Sequence, residues 1–192
     1  MLVKRRLRSL LVPSAVILAS WCVGAANAAV GFVLTSTTFK DGGMMPEKTS
    51  NKPPPNPDCI GENVSPQLSW QNPPAGTKSY ALTMIDPEGY GGKGVVHWVA
   101  YGIPLNVTSF AEGEVSNLSN KYVGGKSTEG VGYYSGPCTP PGSPHHYTFM
   151  AIATDLDPEA LPPGLTLPEL QARLEGHYKG AAGLVGLFAL PQ

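Results

Sequence analysis

Hydrophobic residues fall in short alternating runs separated by segments rich in glycine and proline. Ser79 to Asp86 (SYALTMID) places Tyr80, Leu82, Met84 and Asp86 on one face of a strand. Val95 to Ile103 (VVHWVAYGI) places Val95, His97, Val99 and Tyr101 on one face and Val96, Trp98 and Ala100 on the other. Both faces are apolar, which suits a central strand covered on both sides. His145 to Asp155 (HHYTFMAIATD) is a third strand, with His145, Tyr147, Phe149 and Ala151 together and His146 on the opposite side. Phe32 to Phe39 reads as a Thr-rich strand, followed by a long polar stretch, Lys40 to Asn63, that contains Pro53, Pro54, Pro55 and Pro57. A stretch of that length in a compact domain is usually functional or tied down. Near the C-terminus, Thr166 and Glu169 form a capping-box pattern flanked by Leu165 and Leu170. Leu170, Leu174, Tyr178 and Ala181 continue at helical spacing, which predicts a helix over about 166–182 with a possible break at Gly176. The pattern is mostly antiparallel β with one or two short C-terminal helices.

Composition agrees with this reading. The chain has 192 residues, 42% of them hydrophobic, which suffices for one domain with a real core. Its 23 glycines and 20 prolines make up about 22% of the residues, and only 14% are charged. Long helical bundles, coiled coils and polytopic membrane proteins are excluded. Residues 1–28 have the layout of a secretory signal: Lys4, Arg5, Arg6 and Arg8, an apolar run from Leu10 to Val23, then Ala26, Asn27 and Ala28. The apolar run contains Pro13 and is shorter than the ~20 residues needed to span hydrocarbon. Trp21 stands before Cys22, where lipoprotein processing wants a small residue. Cleavage after Ala28 leaves a single domain, 29–192, with no membrane span, in the periplasm or outside the cell. That domain keeps nine basic against fourteen acidic residues, a formal charge of −5, which argues against nucleic acid as a partner. It also keeps two of the three cysteines, Cys59 and Cys138, an even number in an oxidising compartment, and a disulfide between them is expected.

Three segments end strands, or approach them, with polar residues unusual for a core. They contain Asp86, His97, and the stretch from Gly136 and Pro137 to His145 and Tyr147. Two imidazoles, a phenol, a free Gly136 amide and a carboxylate together suit a pocket for a small phosphate or carboxylate. Each also has a plainer reading: Asp86 before Pro87 is a natural turn residue, and a histidine within a strand is commonly a satisfied core residue. No metal is expected, because His145 and His146 diverge on a strand and neither a His pair at helical spacing nor a Cys pair at short spacing is present. The Gly-x-Ser-x-Gly pattern of serine hydrolases is absent.

The segments from Asn63 to Trp70, Pro74 to Ser79, Asp86 to Gly89, His97 to Pro104 and Tyr134 to Phe149 resemble the phosphatidylethanolamine-binding protein (PEBP) family. They are most similar to its bacterial YbhB/YbcL-type, Raf kinase inhibitor-like, branch. The resemblance implies a large antiparallel sheet packed against a smaller sheet, with short helices and a pocket for phosphate-like anions. By motif position it assigns Asp86, His97, Gly136, Pro137, His145 and Tyr147 to that pocket. Two departures stand out. Glu88, Gly89 and Tyr90 follow Asp86 and Pro87 where the family usually has Asp-Pro-Asp-Ala-Pro, and His146 stands where Arg is common.

The reading is therefore a periplasmic or secreted binding protein for phosphate-like anions or phosphorylated head groups, without cofactor, catalytic residue or turnover. A second reading is an interaction protein that inhibits a partner enzyme through the pocket rim and the Lys40 to Asn63 stretch. A third is a hydrolase using Asp86 and His97, for which no activated nucleophile is visible. Mass spectrometry of the exported protein tests the processing and cysteine readings. The chain should begin at Ala29 and gain the mass of two protons on reduction; an unprocessed start or an unchanged mass would refute the respective reading.

Overall fold

A computed structural model describes residues 31–52 and 56–190. The signal segment, 1–28, lies outside the described residues. The strands are β1 (Val33–Thr35), β2 (Gly43–Met44), β3 (Leu68–Gln71), β4 (Ser79–Asp86), β5 (Val95–Pro104), β6 (Ser109–Phe110), β7 (Val123–Gly124), β8 (His145–Thr154) and β9 (Tyr178–Phe188). Among the described residues there is one helix of two turns, α2 (Leu167–Leu174), a 3-10 turn at Glu47–Thr49 and a tight turn, α1 (Gly89–Gly92), in which Tyr90 and Gly91 take left-handed backbone angles. Six strands form a sheet in the order β2-β9-β8-β4-β5-β7, and three form a second sheet in the order β1-β3-β6. All pairings are antiparallel except β2 with β9, which is parallel. The expected mostly β fold, a large sheet packed on a smaller one, is what forms.

The two apolar faces expected for the central strands are both used. On one side Tyr80, Leu82 and Met84 of β4 and Phe149 and Ala151 of β8 pack against Leu34, Trp70 and Phe110 of the small sheet. Trp70 meets Phe110 edge-on at 5.3 Å between ring centroids, and Trp98 meets Phe110 at 5.9 Å. On the other side Ala81, Val99 and Tyr101 are covered by Leu165, Leu170 and Leu174 of α2 and its approach. The Tyr101 hydroxyl donates to the Pro162 carbonyl at 2.7 Å, so its polar end is satisfied at the edge of this layer.

The helix is shorter than predicted. The capping box forms, with the Thr166 N–H donating to Glu169 Oε2 at 2.8 Å, but α2 ends at Leu174. Gly176 takes φ +82°, a left-handed turn, and the chain then extends as β9. Tyr178 is exposed there, and Ala182, Leu184 and Phe188 alternate inward at the strand period. The helical spacing of Tyr178 and Ala181 was coincidental. The N-terminal strand is also shorter than its Thr-rich run suggests. Beyond Thr35 the threonines turn to local and side-chain partners: Thr38 N–H donates to Ser36 Oγ at 3.0 Å and Thr37 N–H to Gln67 Oε1 at 2.8 Å.

The α2 layer gives a direct test of packing. Leu170→Ala should lower the unfolding free energy by about 2–5 kcal/mol, the cost of emptying a fully buried leucine site. Thr166→Ala, which removes only the cap, should cost about 1 kcal/mol. Urea unfolding of both variants checks the order; equal losses would mean that α2 is held by its cap and not by its buried face.

Candidate functional site

The site forms where β4 ends, β5 begins and β8 begins. A cleft of about 470 Å³ opens there, and its wall includes Asp86, Glu88, Tyr90, His97, His145 and Tyr147. Asp86 is the last residue of β4 and is buried, so its carboxylate must be fully hydrogen-bonded. The Glu88 and Gly89 amides donate to Asp86 Oδ1 at 2.9 and 3.0 Å, closing the turn after the strand. Asp86 Oδ2 lies 2.8 Å from His145 Nδ1. Val95, the β5 residue paired with Asp86, and Gly89 complete this corner.

His97 reaches the cleft by a departure from strand alternation. Strict alternation puts it on the face of Val99 and Tyr101. In the structure Ile85 pairs with Val96 but Met84 pairs with Trp98, so His97 is an extra residue in a β-bulge. Val96 and Val99 both pack toward the α2 layer, while the His97 ring meets Tyr147 edge-on at 5.2 Å. The bulge thus re-aims His97 to the face that carries Asp86, His145 and Tyr147. Its Nδ1 lies 2.9 Å from the Ser135 carbonyl oxygen. A carbonyl can only accept, so Nδ1 carries the proton and Nε2 presents a lone pair. Nε2 has no hydrogen-bond partner among the described residues. Burial holds the His97 pKa below its ordinary value, against the pull of the Ser135 carbonyl and the negative charge of Asp86 and Glu129.

The Tyr147 hydroxyl lies 2.7 Å from Thr139 Oγ1, and burial pushes its pKa well above the ordinary phenol value, so it remains an O–H group. Glu88 projects to the rim. Burial opposes its ionisation, but hydrogen bonds from the His146 ring and amide prevail and hold its pKa below the ordinary carboxylate value. His146 is therefore outside the cleft, as strand alternation requires, and braces the outer side of Glu88 at 2.7 Å.

Gly136 and Pro137 are not part of the cleft wall. The amide expected to be free at Gly136 donates to Asn63 Oδ1 at 2.8 Å, while Asn63 Nδ2 donates to the Tyr134 carbonyl at 3.0 Å. The Pro137 carbonyl accepts from the Asn51 amide at 2.9 Å and from Ser50 Oγ at 2.8 Å. These two residues anchor the segment that follows β2, and glycine is required at 136 because a Cβ would collide with the Thr49 carbonyl oxygen. Cys59 and Cys138 form the expected disulfide, with Cα atoms 4.4 Å apart. The bridge brings Asn56 and Asp58 to the cleft wall beside Cys138 and Pro140. Sequence reasoning missed Asn56, Asp58 and Glu129, and the only signal for the first two was their nearness to Cys59.

With this geometry established, the comparisons are specific. The chain belongs to the phosphatidylethanolamine-binding protein family, whose family model matches residues 35–189. A UPF0098 protein of Methanothermobacter thermautotrophicus is 36% identical over 159 residues, covering 81% of this chain and 97% of that protein. The UPF0098 protein YbcL of Escherichia coli is 35% identical over 130 residues, covering 65% of this chain and 69% of that protein. The crystal structure of E. coli YbcL, described as a member of the mammalian PEBP family, superposes with a TM-score of 0.74 at 27% identity, covering 83% of this chain and 99% of that one.

The His97 environment predicts a pH dependence. Its folded pKa lies below the unfolded value of about 6.5, so the unfolded chain takes up this proton first as the solution is acidified. Stability from this group is complete above that unfolded value and is lost as pH falls toward the folded one. The urea midpoint should drop between pH 7.5 and 5.0, and His97→Gln should narrow that drop; an equal drop in the variant would remove His97 as its source.

Proposed function

We propose that the protein binds a small phosphorylated head group that also carries an ammonium group, and releases it unchanged. The observation that carries this reading is the makeup of the cleft wall. The Tyr147 hydroxyl and the imidazoles of His97 and His145 stand with four carboxylates, Asp58, Asp86, Glu88 and Glu129, and with no lysine or arginine among the described residues. Bare phosphate meets net repulsion from such a wall, whereas a zwitterion sets its ammonium against the carboxylates and its phosphoryl oxygens against the Tyr147 O–H and, once an imidazole is protonated, its Nε2–H. The relation to proteins named for phosphatidylethanolamine supports the same ligand chemistry.

Binding without turnover follows from how the polar groups are committed. Asp86 Oδ1 serves two amides and Oδ2 faces His145, while His97 Nδ1 is held by a backbone carbonyl. An acid–base pair needs one group free to exchange a proton with substrate, and Asp86 is not free to do so. The protein acts in the periplasm or outside the cell. The Cys59–Cys138 disulfide supports this, since such bridges persist in oxidising compartments.

Thermal unfolding of the exported protein tests the reading. Saturating phosphoethanolamine should raise Tm by roughly 2–4 °C, more than inorganic phosphate does, and more at pH 5.5 than at pH 8, because a phosphoryl group favours imidazolium. His97→Ala and His145→Ala should lose the shift. No shift at millimolar ligand, or an equal shift in both variants, would refute the proposal.

A further inference from the structure

We propose that the cleft has a binding site for a divalent transition-metal ion of the Zn²⁺ class, formed by Asp86, Glu88 and His145. One donor atom from each of these residues lies within 4.8 Å of the other two. The three come from different places in the fold: the end of β4, the turn after it and the start of β8. Asp86 is held by its two amides, so a preformed part of the site exists before any ion arrives.

The two inner groups stand close to the spacing that shared coordination requires. His145 Nδ1 and Asp86 Oδ2 are 2.8 Å apart. Two donor atoms each ~2.1 Å from one tetrahedral ion are roughly 3.4 Å apart, so this pair must part by only about 0.6 Å to admit it. The ion enters where a proton is now shared, and His145 keeps its proton on Nε2. Glu88, at the exposed rim, supplies a third donor from the solvent side. One imidazole with two carboxylates selects ions that accept mixed nitrogen and oxygen ligands, as Zn²⁺ does; calcium and magnesium favour all-oxygen sets.

His97 stands beside the three donors without being one of them. It lines the same cleft, is only 8% exposed, and its Nδ1–H is spent on the Ser135 carbonyl. Its Nε2 lone pair has no donor among the described residues and opens to the cleft, where water held by an ion could donate to it. The charge of the wall favours a cation, because Asp58, Asp86, Glu88 and Glu129 line the cleft with no lysine or arginine among the described residues. His145 and His146 do diverge on β8, as the sequence indicates. The convergence instead joins one histidine with carboxylates from another strand, which a search for short ligand spacings does not detect. This inference rests on donor geometry and its test contains no phosphorylated ligand, so it and the head-group reading can fail separately.

Calorimetric titration of the EDTA-treated, dialysed exported protein with ZnCl₂, paired with CoCl₂ absorption spectra, tests the site. One ion per chain should bind with a Kd of about 10 µM or tighter, and Glu88→Gln and His145→Gln should each weaken binding about tenfold or more. Glu88 is a rim residue, so its variant tests the site without disturbing the core. His177→Gln, at the separate His177–Asp155 pair, should bind as the unaltered protein does. No saturable binding up to about 1 mM zinc, or unaltered affinity in either cleft variant, would overturn the proposal.

Discussion

The site depends on one close approach of backbone to backbone, where Thr49 to Asn51 passes Gly136 and Pro137 with no space for a side chain between them. The seam is hydrogen-bonded along its length. Asn51 N–H and Ser50 Oγ reach the Pro137 carbonyl, and the Tyr134 hydroxyl donates to the Thr49 carbonyl at 2.8 Å. Asn63 closes it by accepting from Gly136 and donating to Tyr134, from a left-handed backbone at φ +57° that asparagine tolerates better than most residues. The disulfide then joins Cys59 to Cys138 just beyond the seam. Because the strand-approaching segment 134–138 is fixed, the Ser135 carbonyl is fixed, and with it the orientation and tautomer of His97. The chemistry of one imidazole in the cleft thus follows from the absence of a Cβ at residue 136.

The second constraint is the bulge in β5. Without the extra residue, His97 would lie in the layer under α2, among Val99 and Tyr101, far from Asp86 in function if not in sequence. With it, four polar residues from three strands share one face and one end of the sheet. Bulges of this kind are a recurring means of re-aiming a side chain beside a site. The same strand shifts register again between Tyr80 and Leu82 on its partner, where Gly102 takes φ +61°. Each irregularity interrupts the ladder, and the first of them delivers a functional side chain.

Strand alternation made β4, β5 and β8 legible almost to the residue, because each is long and carries large apolar side chains on both faces. It could not place His97, since a bulge leaves no mark in a hydrophobic pattern. It also missed β9, for a physical reason. Gly180, Gly183 and Gly186 interrupt the alternation of that strand, and two of them are glycine because neighbouring elements lie where a Cβ would be: Pro74 over Gly180, and Met45 with Phe39 over Gly186. The packing that requires the strand removed its signal. The cleft brings together Asp86, His97, His145 and Tyr147, which the resemblance assigns to one pocket, while the Gly136 amide, read from the residues as a free donor, is an internal brace. Asp58 and Glu129 reach the wall through the disulfide and through a long loop, and neither route is written in local sequence.

Charge separates what the fold supplies from what a ligand must bring. The polar groups of the cleft are mostly acceptors: carboxylates at Asp58, Asp86, Glu88 and Glu129 and the Nε2 lone pair of His97. The certain donor is the Tyr147–Thr139 hydroxyl pair, which shares one of its own hydrogens internally. His146 stands where arginine is common in the family, and its ring is turned outward onto Glu88. A guanidinium there would bring a permanent positive charge to the rim; an imidazole brings one only when protonated. On the readings proposed above, positive charge arrives with the ligand, as an ammonium group or as a metal ion, and the carboxylates that repel a bare anion are the groups that would hold either cation. The charge of the cleft is thus set by side chains at its wall and rim, whereas the backbone frame that positions them is common to this chain and YbcL.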